Sequence, residues 1–494
     1  MRIFWCLALL GAVLSVDCRM VAGYEDLELT PTGTGGQGAA DGGGGSGASG
    51  GSGGDAGAGG SGPQVTITML TAEPDRIVGS RQVELAWEVE NADSCEFDEG
   101  LGEAAPYWGT VQVKPSSTTI YTLTCQGPGG PASQDVTATV YGVTLVGGGG
   151  FTCARVHNNN LKCFGSNSAG QLGIGDTDNR GDVSGEMGAV LLPIDVGAGH
   201  NVLVVDPGDE HTCVILDDNN VKCWGENSRG QLGIGITEDQ GDDPGEMGDL
   251  LAWVTVGGAD GIAAGGRHSC AKLLNGNVKC WGANDQGQLG IGHANDVGGL
   301  GTDMQNLPEV QLGANRTATM LVAGTAHSCA LLDDATVKCW GDNSRGQLGT
   351  GDAVNHGSSS STMGDALPVV ALGTGRTAKA IAVGGAHGCV LTDNDLVKCW
   401  GANGHGQLGA GDLVDRGNAA TDLGDNLSFV NLGSGHTVQS IGAGSQHSCA
   451  VIDDGTVRCW GRNGSGELGL GDIFDRGVNL GQMGDGLSLV DITP

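Results

Sequence analysis

The sequence predicts an all-β protein built from a repeated unit, and three observations carry that prediction. A stretch running from Cys329 to Gly351, CALLDDATVKCWGDNSRGQLGTG, recurs six times; its copies open at Cys153, Cys213, Cys270, Cys329, Cys389 and Cys449, spaced 60, 57, 59, 60 and 60 residues apart. Regular spacing of this kind marks stacked supersecondary units. Glycine supplies 95 of 494 residues while aromatics make up 4%, which suits short strands joined by tight turns and disfavours long helices. Each unit also reads as four short strands, the content of one propeller blade. In the unit from Thr317 to Gly373 these are Met320–Ala323, the stretch through Cys329, the TVKCWG stretch after a turn at Asp333-Asp334, and Pro368–Leu372 after a long polar insert.

Taken in order, residues 1–22 read as an export signal, with Arg2 as the positive head and Ile3 to Val16 as an apolar stretch too short to anchor in a bilayer. Cys18 follows Leu14-Ser15-Val16-Asp17, a partial lipobox, and is the lipidation candidate. A secreted protein and a cell-surface or outer-membrane lipoprotein, tethered through Cys18, are both open. Residues 23–63 form a flexible Gly/Ser-rich linker that cannot bury enough apolar surface to fold. Residues 64–142 carry strand-like runs at Val65–Met69, Val83–Val89, Thr118–Cys125 and Val136–Tyr141, which predicts a small β-sandwich. Residues 143–494 hold the repeats.

Formal charge is -34, with 5 basic and 17 acidic side chains in residues 1–142 and 18 and 40 in the rest. Such a surface repels phosphate backbones, so nucleic acid is excluded as a partner, while cationic proteins or divalent metals are favoured. Solubility alone also accounts for it.

The cysteines sort into pairs. Each repeat holds two, ten residues apart: Cys153 with Cys163, Cys213 with Cys223, Cys270 with Cys280, Cys329 with Cys339, Cys389 with Cys399, and Cys449 with Cys459. A hairpin turning at Asp334 sets Cys329 opposite Cys339 at about 4.5–5.5 Å between Cα atoms, within reach of a disulfide. Metal ligation would need closer Cys spacing or more histidines. Cys95 and Cys125 make a seventh pair, and seven staples suit an oxidising compartment.

A histidine stands two residues before the first cysteine in five copies (His211, His268, His327, His387, His447), with Phe151 in the first. One position per blade points to a shared packing or hydrogen-bonding role; a ring of imidazoles binding metal or sensing pH is the alternative. Asn167, Asn227, Asn284, Asn343, Asn403 and Asn463 are expected to shape the loop that follows. Met187, Met247, Met304, Met363 and Met483, with Leu423 in the fifth copy, are expected between blades.

The inserts at 176–188, 236–248, 292–304, 352–363, 412–423 and 472–483 differ most between copies and should form one variable rim. In the first, Asp176, Asp178 and Asp182 have a spacing reminiscent of calcium loops, although no bidentate Glu follows. The G-x-S-x-G matches at Ser49 and Ser52 fall in the linker, where composition alone produces them. The sequence therefore predicts no enzyme and no cofactor.

The pattern W-G-x-N-x-x-G-Q-L-G starts at Trp224, Trp281, Trp340 and Trp400; Phe164 replaces the Trp in the first copy, and Glu467 the Gln in the copy at Trp460. Residues 143–494 thereby resemble the regulator of chromosome condensation repeat family, which implies a β-propeller, usually of seven blades where six units are counted here. The run SSTTIYTLTC from Ser116, with Trp87 on an early strand, resembles bacterial immunoglobulin-like modules. The predicted function is a non-enzymatic protein-binding scaffold acting through the variable propeller loops. The resemblance also implies two alternatives: an extracellular enzyme inhibitor using one propeller face, as in bacterial propellers that block β-lactamases, and guanine-nucleotide exchange on a small GTPase.

Overall fold

The computed structural model describes residues 62–73, 76–78, 83–115, 119–141, 144–156 and 160–491. The expected export signal, Cys18 and nearly all of the expected linker lie outside the described residues. The chain divides into two compact units, with the boundary between Gly142 and Val143.

In the first unit, strands Thr66–Glu73, Val83–Glu90 and Trp108–Val113 form one antiparallel sheet. A second sheet orders Arg76–Val78, Ala132–Tyr141, Thr119–Gln126, Ser94–Phe97 and Gly102–Ala104. Alternation along Val83–Glu90 explains the burial: Val83, Leu85, Trp87 and Val89 point inward, while Glu84, Glu88 and Glu90 face water. Both sheets contribute to one core, which includes Leu70, Leu85, Trp87, Phe97 and Leu123. The Trp87 ring meets Phe97 edge-on at 5.1 Å, and its Nε1 donates to the Ala105 carbonyl at 2.9 Å. The Cys95–Cys125 disulfide joins adjacent strands of the second sheet. It therefore differs from the inter-sheet bridge of antibody domains.

The second unit holds six sheets, one per repeat. In repeat 4 the strands are Ala318–Ala323, His327–Leu332 and Val337–Gly341, paired antiparallel in chain order. The other five repeats follow the same plan. The hairpin between the second and third strands has a three-residue loop: Leu332 N–H donates to the Thr336 carbonyl at 2.8 Å, and Ala335 adopts a φ of 61°. A left-handed third loop residue belongs to this turn type, and Asn219, Gly276, Asp395 and Gly455 hold the same place with φ from 62° to 85°.

The fourth strand expected in every unit is corrected by the structure. In repeats 1 to 5 the segment is tied by a single backbone bond, as from Val370 N–H to the Val337 carbonyl at 2.8 Å. Only in repeat 6 does a short strand form, Leu489–Val490. Pro193, Pro308 and Pro368 deprive three of these segments of a donor. Carbonyls that a ladder would use are also taken, because the Lys222, Lys338 and Lys398 ammonium groups donate to the Val196, Leu312 and Leu372 carbonyls at 2.8–3.0 Å.

Burial lies between neighbouring repeats. Five apolar clusters each draw on two successive repeats: 1 with 2, 2 with 3, 3 with 4, 4 with 5, and 5 with 6. A smaller cluster of Cys449, Val451, Val457, Cys459 and Leu468 comes from repeat 6 alone among the described residues.

Candidate functional site

Each repeat sets its two cysteines directly opposite, as in the Cys329–Cys339 pairing. The turn explains why. Leu332 and Thr336 form a hydrogen-bonded pair, so counting back in the alternating ladder makes Cys329 and Cys339 a close, non-hydrogen-bonded pair. Their Cα atoms lie 4.0 Å apart, which corrects the wider separation expected from the sequence. The other repeats close in the same way: Cys153 is bonded to Cys163, Cys213 to Cys223, Cys270 to Cys280, Cys389 to Cys399 and Cys449 to Cys459, with Cα separations of 4.0–4.2 Å. Five of these partners, Cys163, Cys223, Cys280, Cys339 and Cys399, are almost wholly buried, so the bridges sit inside the packed layers and not on the rim.

Repeats are joined by directed hydrogen bonds. Trp340 Nε1 donates to the Gln288 carbonyl of repeat 3 at 3.0 Å, and Trp224, Trp281, Trp400 and Trp460 do the same to Gln171, Gln231, Gln347 and Gln407. Four of these carbonyls also accept a hydroxyl, from Thr212, Ser269, Ser328 and Ser448. Three histidines then reach forward: Nε2 of His211, His268 and His387 lies 2.9 Å from Ser269, Ser328 and Ser448. Burial pushes the pKa of His387 down to about 3, and that of His447 down to about 4. A neutral ring can share a hydrogen bond without carrying a charge into the core.

The buried cations are bridging residues that the sequence reading missed. Lys222 bridges repeat 1, at the Val196 carbonyl, to repeat 2, at the Gly248 carbonyl (2.7 Å), and its ammonium lies 4.3 Å from the Trp253 ring centre. Lys338 and Lys398 repeat the bridge at Gly364 and Gly424, while Arg458 donates to Gly484 at 2.6 Å. Burial lowers the pKa of Lys222, Lys338 and Lys398, opposed by Asp249, Asp365 and Asp425. The signal was available: Lys or Arg recurs at this position in all six copies (Lys162, Lys222, Lys279, Lys338, Lys398, Arg458), although on a strand it reads as a solvated charge.

On this frame sits the rim. Each loop-shaping Asn is fully buried and braces the chain from inside. Asn403 Oδ1 accepts from Leu408 N–H at 3.0 Å, and its Nδ2 donates to the Asp412 carbonyl at 2.8 Å. The insert tip that follows is clamped. Asp412 Oδ1 accepts the Val414 N–H at 3.0 Å, and Arg416 pairs with Asp412 Oδ2 at 2.7 Å while donating to the Val414 carbonyl at 2.9 Å. The Arg416 guanidinium holds the Asp412 carboxyl below the usual carboxylate range. Repeats 1 and 6 carry the same clamp, Asp176 with Arg180 and Asp472 with Arg476, both at 2.5 Å. Neighbouring rims are also stapled, by Arg345 to Asp415 at 3.2 Å and His405 to Asp475 at 2.9 Å.

The three aspartates with the calcium-like spacing have partners within this insert. Asp176 is engaged by Arg180 and by the Asp178 N–H, and Asp182 Oδ2 accepts from Asn179 at 3.4 Å. Among the described residues the converging group of three potential metal ligands is instead His200, Asp217 and Asp218. At the same place repeats 4 and 5 put Arg316 and Arg376 on Asp333 and Asp393 at 3.1 Å, so the position braces a hairpin turn.

Of the expected interblade methionines, Met247, Met363 and Met483 lie against Gly173, Gly290 and Gly409 of the preceding repeat, whereas Met187 is exposed, which corrects that position. No helix among the described residues is long and apolar enough to cross a membrane.

A row of disulfide-stapled sheets packed face to face, carrying a clamped rim, defines a β-propeller-like repeat protein. Residues 208–231, 260–288, 321–347, 378–407 and 438–467 match the model of the Regulator of chromosome condensation (RCC1) repeat, and residues 275–331 match a second model of that repeat. Five of the six repeats are thus similar to the RCC1 repeat, and repeat 1, with Phe164 for the Trp, falls outside the matched residues. It is 30% identical over 294 residues to the human protein named probable E3 ubiquitin-protein ligase HERC6, covering 58% of this chain and 26% of HERC6. It is 27% identical over 354 residues to the ultraviolet-B receptor UVR8 of Arabidopsis thaliana, covering 70% of this chain and 71% of UVR8. Two solved structures share the fold. Human WBSCR16 has a TM-score of 0.53 at 21% identity, over 70% of this chain and 81% of that one. Yeast RCC1 (Prp20), bound to Kap60, has a TM-score of 0.51 at 19% identity, over 71% and 75%.

Proposed function

We propose that this protein is an exported or surface-held, non-enzymatic scaffold that binds a protein partner through the propeller rim, with residues 64–142 as an immunoglobulin-like spacer behind a flexible linker. The observation that carries this reading is the rim itself: a repeated, hydrogen-bonded clamp holds tips whose residues change from copy to copy, Asp178 and Phe474 at equivalent places. A fixed frame with variable tips is the arrangement of a recognition surface. Seven disulfides favour an oxidising location and count against exchange activity on a cytosolic GTPase. The inhibitor alternative gains one aromatic anchor, the exposed Phe474.

Non-reducing intact and peptide mass spectrometry on protein from its native envelope and medium tests the reading. Seven intrachain disulfides and a mature N-terminus near residue 18 or 22 are expected. Free thiols with an uncleaved N-terminus would overturn it.

A further inference from the structure

The tips of the rim are not uniform around the array, although the inserts of repeats 1 and 3 also expose Val183 and Leu300 away from their tips. Equivalent tip positions read Thr177-Asp178, Thr237-Glu238 and Ala294-Asn295 in repeats 1 to 3, but Ala353-Val354, Leu413-Val414 and Ile473-Phe474 in repeats 4 to 6. The apolar tips point into solvent: Val354 is 59% exposed, Val414 63%, Ile473 65% and Phe474 69%. Leu480, on the repeat 6 insert, is 79% exposed and lies beside Gly411, two residues before Leu413, so the apolar surface runs from repeat 5 onto repeat 6. Clamps hold the tips of Val414 and Phe474 through both backbone groups, so their exposure is built in.

Charge around this patch is one-sided. The rim segments that carry these tips, 342–363, 402–423 and 462–483, contain 4 basic and 8 acidic side chains. All four cations are committed to carboxylates of the same segments: Arg345 to Asp415, Arg416 to Asp412, Arg462 to Glu467 and Arg476 to Asp472. What remains on these segments is an acidic surplus.

Resting on the scaffold reading above, we propose that the tips of repeats 4 to 6 are the docking face, and that its partner is a polypeptide surface with an apolar centre ringed by Lys and Arg. Exposed apolar residues rimmed by polar ones mark interaction sites, and opposite charge steers the encounter. A lipid surface fits less well, because anionic headgroups would meet the acidic surplus.

The test uses the full oxidised chain and a fluorescent amphipathic Leu/Lys peptide, followed by anisotropy. A matched Leu/Glu peptide and phosphatidylcholine/phosphatidylglycerol vesicles probe the rival occupants. Saturable binding of the Leu/Lys peptide is expected, weakened by salt and weakened about tenfold or more by Val414→Ser with Ile473→Ser and Phe474→Ser. Melting temperature should not move, since all three side chains are exposed. Glu238→Ala with Thr237→Ala, on the polar side, should stay within about twofold of the parent. Absence of saturable binding, undiminished binding by the triple variant, equal binding of the Leu/Glu peptide, or capture by vesicles would each overturn the proposal. Undiminished binding that the polar-side variant abolishes would move the docking face and leave the scaffold reading standing.

Discussion

Repeat 1 and repeat 4 share a sheet plan, a hairpin disulfide and an Asn-braced loop, yet they part at three positions. Repeat 4 has Trp340, His327 and a buried Met363 where repeat 1 has Phe164, Phe151 and an exposed Met187. Two of the three look backward along the chain. Trp340 donates to Gln288, and Met363 lies against Gly290, both of repeat 3. Among the described residues no repeat precedes repeat 1, and there Phe164 is half-buried with no indole to place. The Trp of the motif is thus specified by the neighbouring repeat and not by the sheet that holds it. Residues internal to the sheet, such as the cysteine pair, are the same in both.

The largest break in that comparison should come from the indole. Trp340→Ala should cost about 3–5 kcal/mol, the range for a fully buried large aromatic, and Phe164→Ala clearly less; urea midpoints decide it. Equal losses would mean that the Trp serves its own sheet. The disulfides should behave the opposite way. Removing Cys329 with Cys339, or Cys153 with Cys163, should cost about 2–3 kcal/mol in either repeat, since both close the same ten-residue span. A large difference between the two would tie the bridge to the interface after all.

Acid should separate the repeats by their histidines. His387 and His447 have folded pKa values pushed down to about 3 and about 4 from an ordinary 6.5. The unfolded chain therefore binds protons first as pH falls below 6.5, and stability drops by roughly 1.4 kcal/mol per pH unit for each. Their contribution is whole above 6.5 and is lost progressively down to the folded values. His387→Phe, which copies repeat 1, should flatten the profile; an unchanged slope would refute the assignment. The smallest effect is a gain. Ala335 sits at φ 61°, where Gly276 and Gly455 stand in repeats 3 and 6, so Ala335→Gly should stabilise by about 1 kcal/mol in a thermal melt.

Much of this is legible in the residues alone. Six in-register copies imply the sheets, and the symmetry of Cys329 and Cys339 about Asp334 implies the hairpin, because strand pairing is a local consequence of turn position. The same symmetry holds for Cys223, Cys280 and Cys399 with their partners, and all three sit at the paired positions it predicts. Three things are not legible. Lys338 on a strand looks like a solvated charge, and only the fold brings the Leu312 and Gly364 carbonyls, each 26 residues away, to its ammonium. The Pro368–Leu372 segment has strand-like residues, but pairing depends on free acceptors that Lys398 removes at Leu372. The Asp176 clamp is hidden because a carboxylate spacing does not reveal that Arg180, four residues on, folds back over it.

The ten-residue span of the repeat disulfides has a consequence for how the chain is made. Twelve thiols admit thousands of pairings in principle, and a reshuffling catalyst is the usual remedy for such a crowd. Here each sulfur meets its partner as soon as one hairpin closes, an event of microseconds, long before the next copy has been synthesised. Oxidation can follow the order of emergence, one copy at a time, with the correct connectivity written into distance along the chain.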